Sequence, residues 1–245
     1  KTRGVDFDGM VKSLESFPKF TTVLLHACCH NPTGADITEA QWQQVISICK
    51  NKGLIPFLDM AYQGFAAGIE QDGVAVRLFA ESGMSFFVSS SFSKSFSLYG
   101  ERVGALSIVT QSKDESARVM SQLKRVIRTN YSNPPTHGGA IVASVLNSPD
   151  LRKLWEDELA EMRERIKAMR HGLVEKLAAA GVKQDFAFIN QQRGMFSYSG
   201  LTAEQVERLQ KEDGIYALST GRICVAALNT KNIDKVAKAI ARVLA

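Results

Sequence analysis

Residues 85–104 read SFFVSSSFSKSFSLYGERVG. The apolar run at 85–90 has the length of a strand, and it gives way to a hydroxyl-rich turn that presents one amine, Lys94. A second apolar run at 102–109 (RVGALSIV) reads as another strand, opened by Arg102. Two more runs of strand length lie upstream, 21–27 (TTVLLHA) and 54–58 (LIPFL), with stretches of helical character between them. This alternation predicts βαβ units and an α/β fold, its mostly parallel sheet carrying helices on both faces. The first crossover has a start and a stop. Thr38 can cap a helix through Trp42, Val45, Ile46 and Cys49, and Gly53 stands where a left-handed C-cap falls.

Further along, 112–127 predicts a helix that closes before the breaker Asn133-Pro134-Pro135. Past Pro149 the texture changes. Leu151, Trp155, Leu159, Met162, Ile166, Met169, Leu173 and Leu177 recur at steps of three and four, the period of one long amphipathic helix. Strand candidates at 195–198 and 222–226, a helix from Thr202 and a terminal helix over 232–244 complete a smaller α+β unit. The expected division is 1–149 and 150–245.

With 245 residues, 45% hydrophobic and 22% charged, the chain can bury a real core. Its net charge of +5 does not mark a nucleic-acid binder, because Lys and Arg are interleaved with Asp and Glu. The stretch LWEDELAEMRERIKAMR at 154–170 reads as a solvated mixed-charge surface. Cys28, Cys29, Cys49 and Cys224 form no CxxC pair, which fits reduced thiols and a cytoplasmic setting. No apolar run has the length of a bilayer span. The sequence opens at Lys1 rather than Met, so an upstream segment is expected.

In an open parallel sheet, ligands sit at the carboxyl ends of the strands. Here those ends lead into His30-Asn31-Pro32-Thr33-Gly34, Asp59-Met60-Ala61-Tyr62 and Ser91-Phe92-Ser93-Lys94. One edge thus collects an amide, a carboxylate, a phenol, hydroxyls and an amine. Taken singly, each has an ordinary reading: Asn31-Pro32 a turn, Asp59 a helix cap, Lys94 a solvated lysine, Arg102 a salt-bridge partner. Taken in order, the motifs HNPTG, DMAYQGF and SFSKSFSLYGERVG resemble the aspartate and aromatic-amino-acid aminotransferase family, pyridoxal-phosphate-dependent enzymes of fold type I. IRTNYSNPP, QRGMFSYSGL and GRICVAAL extend the resemblance along essentially the whole chain.

The resemblance implies that residues 1–149 are the C-terminal part of the large cofactor-binding domain, and 150–245 the connecting helix and small domain. It implies pyridoxal 5'-phosphate as cofactor, with Lys94 as its Schiff-base amine and the general base. Asp59 would face the pyridinium nitrogen, Tyr62 and Asn31 the phenolate oxygen, and Ser91 and Arg102 the phosphate. Arg222 in GRICVAAL would pair with the substrate α-carboxylate, and Phe196 in RGMF would line the side-chain pocket. Arg128, before YSNPP, would reach across a homodimer interface to the distal carboxylate of dicarboxylic substrates. His26 would support the Asp59 side.

The implied reaction is transamination between an aromatic or dicarboxylic L-amino acid (tyrosine, phenylalanine, aspartate or glutamate) and a 2-oxo acid such as 2-oxoglutarate. SFSKSFSLYGERVG and GRICVAALN are closer to bacterial aromatic-amino-acid enzymes. A strict aspartate aminotransferase and an inactive fragment are the alternatives. The family's N-terminal arm, substrate-touching glycine, phosphate loop and ring-stacking tryptophan have no counterpart, so the chain resembles a C-terminal portion.

Three other readings fail on the residues. A phosphate-binding P-loop ending at Lys94-Ser95 needs glycine at 88 and 93, where the sequence has Val88 and Ser93. A regulator that kept only the fold would be expected to have lost the lysine, and Lys94 is present. His26, Cys28, Cys29 and His30 suggest a metal cluster, but a strand pleat sends successive side chains to opposite faces, so no metal site is expected.

Overall fold

The computed structural model describes residues 3–245; Lys1 and Thr2, where the chain's opening was noted, lie outside the described residues. The first half runs α1 (Phe7–Ser16), β1 (Thr22–His26), α2 (Glu39–Lys52), β2 (Ile55–Met60), α3 (Ile69–Asp72), α4 (Val74–Glu81), β3 (Phe86–Ser91), β4 (Gly104–Val109) and α5 (Lys113–Asn130). The second half runs α6 (His137–Asn147), α7 (Pro149–Ala179), α8 (Phe188–Gln191), β5 (Phe196–Tyr198), α9 (Ala203–Asp213), β6 (Arg222–Cys224) and α10 (Ile233–Leu244).

The larger sheet has the order β1-β2-β3-β4. Its first three strands are parallel, and β4 runs antiparallel to β3. The apolar run at 102–109 therefore returns rather than crossing over: residues 92–103 form turns and no helix that could carry a parallel crossover. Along β2 the residues alternate, with Pro56, Leu58 and Met60 buried. That face packs with Val45, Ile46, Cys49, Ala75, Phe79 and Phe86, so α2 and α4 lie against one side of the sheet. The opposite pleat presents His26, Asp59 and Ser89 in register on neighbouring strands.

Local signals explain the crossover. Thr38 and Gln41 form a reciprocal capping box at the start of α2, and Gly53 closes it in the left-handed conformation (φ 64°). The 31-residue α7 follows the predicted period, with Leu159, Ile166, Leu173 and Leu177 buried along one stripe. A second core gathers that stripe with Val206, Leu209, Val225 and Ile240, and it reaches back to Cys28, Tyr62 and Phe65 in the first half. The antiparallel pair β5-β6 sits in this second core, with Tyr198 opposite Arg222. β6 stops at Cys224, and Val225–Ala227 tighten into a 3-10 turn. Among the described residues no helix is long and apolar enough to cross a membrane.

Candidate functional site

The chain after β1 is held by Asp36, whose carboxylate accepts the backbone N–H groups of Cys29 (2.7 Å) and His30 (2.9 Å). Thr33 Oγ1 lies 2.7 Å from His30 Nδ1, and the Asn31-Pro32 peptide is cis. Gly34 has φ 70°, and a Cβ there would stand 2.8 Å from the Phe196 carbonyl. Only glycine lets this loop lie against the approach to β5, where the Gly34 carbonyl also accepts Arg193 N at 2.7 Å. So the glycine of HNPTG brings the two halves of the chain together.

Asp59 is inside β2 rather than past its end, because the ladder runs on to Met60. Its carboxylate accepts from Ser89 Oγ at 3.3 Å. His26 is its register neighbour on β1, with Nδ1 buried and unbonded among the described residues and its ring edge-on to His30 at 4.9 Å. Beyond Tyr62 the loop is gathered by Asp72, a buried carboxylate that accepts four backbone N–H groups, those of Gly64, Ala66, Ala67 and Gly68. Neither Asp36 nor Asp72 stood out in the sequence. Their acceptors' partners are backbone amides, which carry no residue identity.

Five of the expected residues form one connected group. Asn31 Nδ2 donates to Tyr62 Oη at 3.4 Å, and Asn31 Oδ1 accepts from Arg222 Nη1 at 2.7 Å. The Lys94 ammonium lies 4.7 Å from the centre of the Tyr62 ring, and the Arg222 guanidinium 4.5 Å from that of Phe196. Phe196 meets Tyr62 edge to face at 6.0 Å. Burial pushes the Tyr62 phenol above its ordinary range, opposed by the Asn31 hydrogen bond and by the charge of Arg222, so its proton is retained at neutral pH.

The remaining expected residues stand apart. Ser91 Oγ accepts from Ser93 N at 3.2 Å, at the strand end opposite Gly104. Arg102 is exposed in the turn before β4, at φ 53°, and donates from Nη1 to the Tyr99 carbonyl at 2.9 Å. Arg128, exposed on the last turn of α5, donates to Ser132 Oγ and shares no bond with Lys94, Asp59 or Arg222 among the described residues.

The cysteine reading needs correction. β1 ends at His26 and Cys29 is left-handed (φ 53°), so the pleat argument does not reach Cys28 and Cys29. Their thiols and the Asp72 carboxylate lie within 4.8 Å of one another, all buried. Asp72 is already committed to four amides, and the hydrogen bond with the Cys28 thiol, together with burial, raises the Cys29 pKa well above normal, which disfavours the thiolate a metal needs.

An amine, a phenol, an amide and an arginine fork thus form one connected group, with the Asp59 carboxylate close enough to raise the Tyr62 phenol. Among the described residues neither Lys94, Asp59 nor Arg222 takes part in a salt bridge. The fold with this lysine past β3 is that of an aminotransferase: a crystal structure of an aromatic-amino-acid aminotransferase from Burkholderia pseudomallei, covalently bound to pyridoxal phosphate, superposes with a TM-score of 0.99 at 70% identity, over 100% of this chain and 61% of that one. The chain belongs to the aminotransferase class I and II family, whose model matches residues 1–240. It is 68% identical to an aspartate aminotransferase of Pseudomonas aeruginosa and 52% identical to an aromatic-amino-acid aminotransferase of Escherichia coli. Each alignment takes in 99% of this chain and 61% of the relative. The chain therefore spans about three fifths of the length of these proteins.

Proposed function

We propose that the chain carries the lysine, ring-nitrogen and α-carboxylate parts of a pyridoxal-phosphate-dependent transamination site. The reaction moves an amino group between an aromatic or dicarboxylic L-amino acid and a 2-oxo acid such as 2-oxoglutarate. The observation that carries this reading is that Lys94 and Arg222 are joined through Tyr62 and Asn31, with Asp59 near enough to act on Tyr62, while none of Lys94, Asp59 and Arg222 is in a salt bridge among the described residues. Polar groups left without strong partners in a partly buried site cost stability, and a ligand that offers an anion to the lysine and arginine and a cation to the carboxylate relieves that cost.

The residues fit the cofactor's needs. Asp59, aligned with His26 and Ser89, offers the anion that keeps a pyridine nitrogen protonated. Tyr62 and Asn31 offer two hydrogen-bonding groups 3.4 Å apart for a phenolate oxygen. Ser91 and Arg102 supply a hydroxyl and a guanidinium at the β3-β4 turn for a phosphate, once Arg102 leaves Tyr99. When bound, the cofactor supplies an electron sink for the pair left behind as the substrate loses its Cα proton. Lys94 Nζ, when free of the cofactor, would take that proton as general base. Arg222 grips the α-carboxylate and sets the Cα–H bond toward Lys94, while Phe196 bounds the side-chain pocket.

We read 1–149 as the large-domain portion and 150–245 as the long helix with the small domain. The whole protein acts in the cytoplasm as a homodimer, in which Arg128 crosses the interface to the distal carboxylate of aspartate or glutamate. The name of the 68%-identical Pseudomonas relative favours a second reading, a strict aspartate aminotransferase. Rates for tyrosine and aspartate on the same preparation separate the two.

The test of the first reading is Lys94→Ala in the whole protein. Turnover should vanish while the fold survives, and borohydride reduction with peptide mapping of the unaltered protein should find the cofactor on Lys94. A label on any other lysine overturns the assignment.

A further inference from the structure

The segments carrying Lys94, Tyr62, Arg222 and Phe196 are all tied to one helix. Trp155 Nε1 donates to the Ser95 carbonyl at 2.6 Å, one residue beyond Lys94, and its ring stacks on Phe96 at 4.3 Å. Arg163 Nη1 donates to the Gly64 carbonyl at 3.1 Å, two residues beyond Tyr62. Arg165 donates to the carbonyls of Ala226 (2.9 Å) and Leu228 (2.8 Å), four and six residues beyond Arg222. Arg170 donates to the carbonyls of Gly194 (2.5 Å) and Phe196 (2.8 Å). All four donors lie on α7.

We propose that Trp155, Arg163, Arg165 and Arg170 are positioning residues, by which α7 fixes the Lys94 and Tyr62 segments of one sheet relative to the Arg222 and Phe196 segments of the other. A helix rises ~1.5 Å per residue and resists stretching, so donors spaced along it act as a ruler between the segments they hold. The acceptors are backbone carbonyls, so each bond fixes the chain itself rather than one side chain. Close approach supports the same role: Gly64 has φ 94°, and a Cβ there would stand 2.5 Å from Leu159 of α7. The turn after Tyr62 therefore lies directly on the helix. Transfer of a proton from a carbon held by Arg222 to the amine of Lys94 depends on the distance between two groups anchored on different sheets, and α7 sets that distance.

This inference rests on the proposed roles of Lys94 and Arg222, and its test reads the two ends separately. In the whole, cofactor-loaded protein, Trp155→Phe keeps the aromatic stack and removes the N–H donor. It should lower kcat on the order of tenfold with little change in KM, shift the pH midpoint of the visible cofactor absorbance, and speed amide exchange across 92–99. Arg165→Ala should raise the KM for amino donors on the order of tenfold at nearly unchanged kcat and speed exchange across 222–228. Arg165→Lys should recover part of the loss, since one ammonium can bond one of the two carbonyls.

Leu173→Ala, a core truncation on the same helix, controls for stability: it should lower Tm and leave the absorbance midpoint in place. Unchanged exchange at 92–99 in Trp155→Phe, or an equal midpoint shift in Leu173→Ala, overturns the proposal. Amide exchange needs no cofactor chemistry, so it still reads the clamp if Lys94→Ala keeps the visible band and the proposed role of Lys94 fails.

Discussion

Arg222 Nη1 donates to Asn31 Oδ1 at 2.7 Å, joining residues 191 positions apart in the sequence. The acceptor is a neutral amide, so the guanidinium is oriented while its charge remains available to a substrate carboxylate. Asn31→Asp keeps the shape and supplies a competing anion. It should raise the KM for every amino donor by at least ~10-fold, and Arg222→Lys should do likewise through loss of the planar fork. Unaltered kcat/KM in both variants would falsify the carboxylate role of Arg222.

Arg128 tests the substrate range. It is exposed, and its donated bond reaches only Ser132 of the following turn, so little in this chain depends on it. If it meets a distal carboxylate in the assembled protein, Arg128→Ala should cut kcat/KM for aspartate and glutamate by ~30-fold or more, and for tyrosine and phenylalanine far less. Steady-state kinetics on the four donors decide it. Equal losses across both classes exclude the role.

Tyr62 gives a pH signature. Burial raises its folded-state pKa above the unfolded value of ~10, so in the interval between them the unfolded chain releases a proton that the folded chain keeps. The stability contributed by the buried neutral phenol is fully present below ~pH 10 and is lost as pH rises toward the folded pKa. Tyr62→Phe removes that dependence. In cofactor-free whole protein, Tm measured from neutral to alkaline pH should fall less steeply for the variant above ~pH 10. Parallel curves would show that Tyr62 does not titrate differently in the folded state.

Legibility in the sequence divides by the kind of partner involved. Strand runs, the Thr38 and Gly53 caps and the apolar stripe of α7 were all readable, because each is a relation between side chains, or between a side chain and its neighbouring backbone. Lys94, Asn31, Tyr62 and Arg222 were readable as motifs that resemble a family. The direction of β4 was not, since residue pattern alone does not distinguish a return strand from a crossover strand. The helix at His137–Asn147 was missed too, because it follows a proline pair and opens with Gly138-Gly139.

The interleaved charges of 154–170 read as solvated, and the structure departs from that reading at Arg163, Arg165 and Arg170. The ion pairs Arg152–Glu156 and Lys153–Asp157 do lie exposed at the start of the helix. Arg163, Arg165 and Arg170, however, donate to carbonyls far away in the chain, as does Trp155 from the apolar stripe. No charge pattern can announce a carbonyl acceptor, since every residue has one.

Arg170 carries the last prediction. It is 3% exposed, has no carboxylate in salt-bridge range among the described residues, and bonds Ser197 Oγ and the carbonyls of Gly194 and Phe196. Burial draws its pKa down to about 10, which still leaves it charged at neutral pH. Replacing a buried ion pair by apolar residues can be neutral when both partners go, but two of these three acceptors are backbone and cannot be removed. Arg170→Met should therefore cost ~3 kcal/mol or more from unmet acceptors, even though its side chain fills much of the space. Adding Ser197→Ala removes one acceptor and should recover ~1 kcal/mol, a coupling that a double-mutant cycle in denaturant measures directly. Arg170→Lys should fall between, because an ammonium can satisfy some of the acceptors but not in the plane of a guanidinium. A cost below ~1 kcal/mol for Arg170→Met, or strict additivity with Ser197→Ala, would mean that these bonds contribute little to holding Phe196 in place.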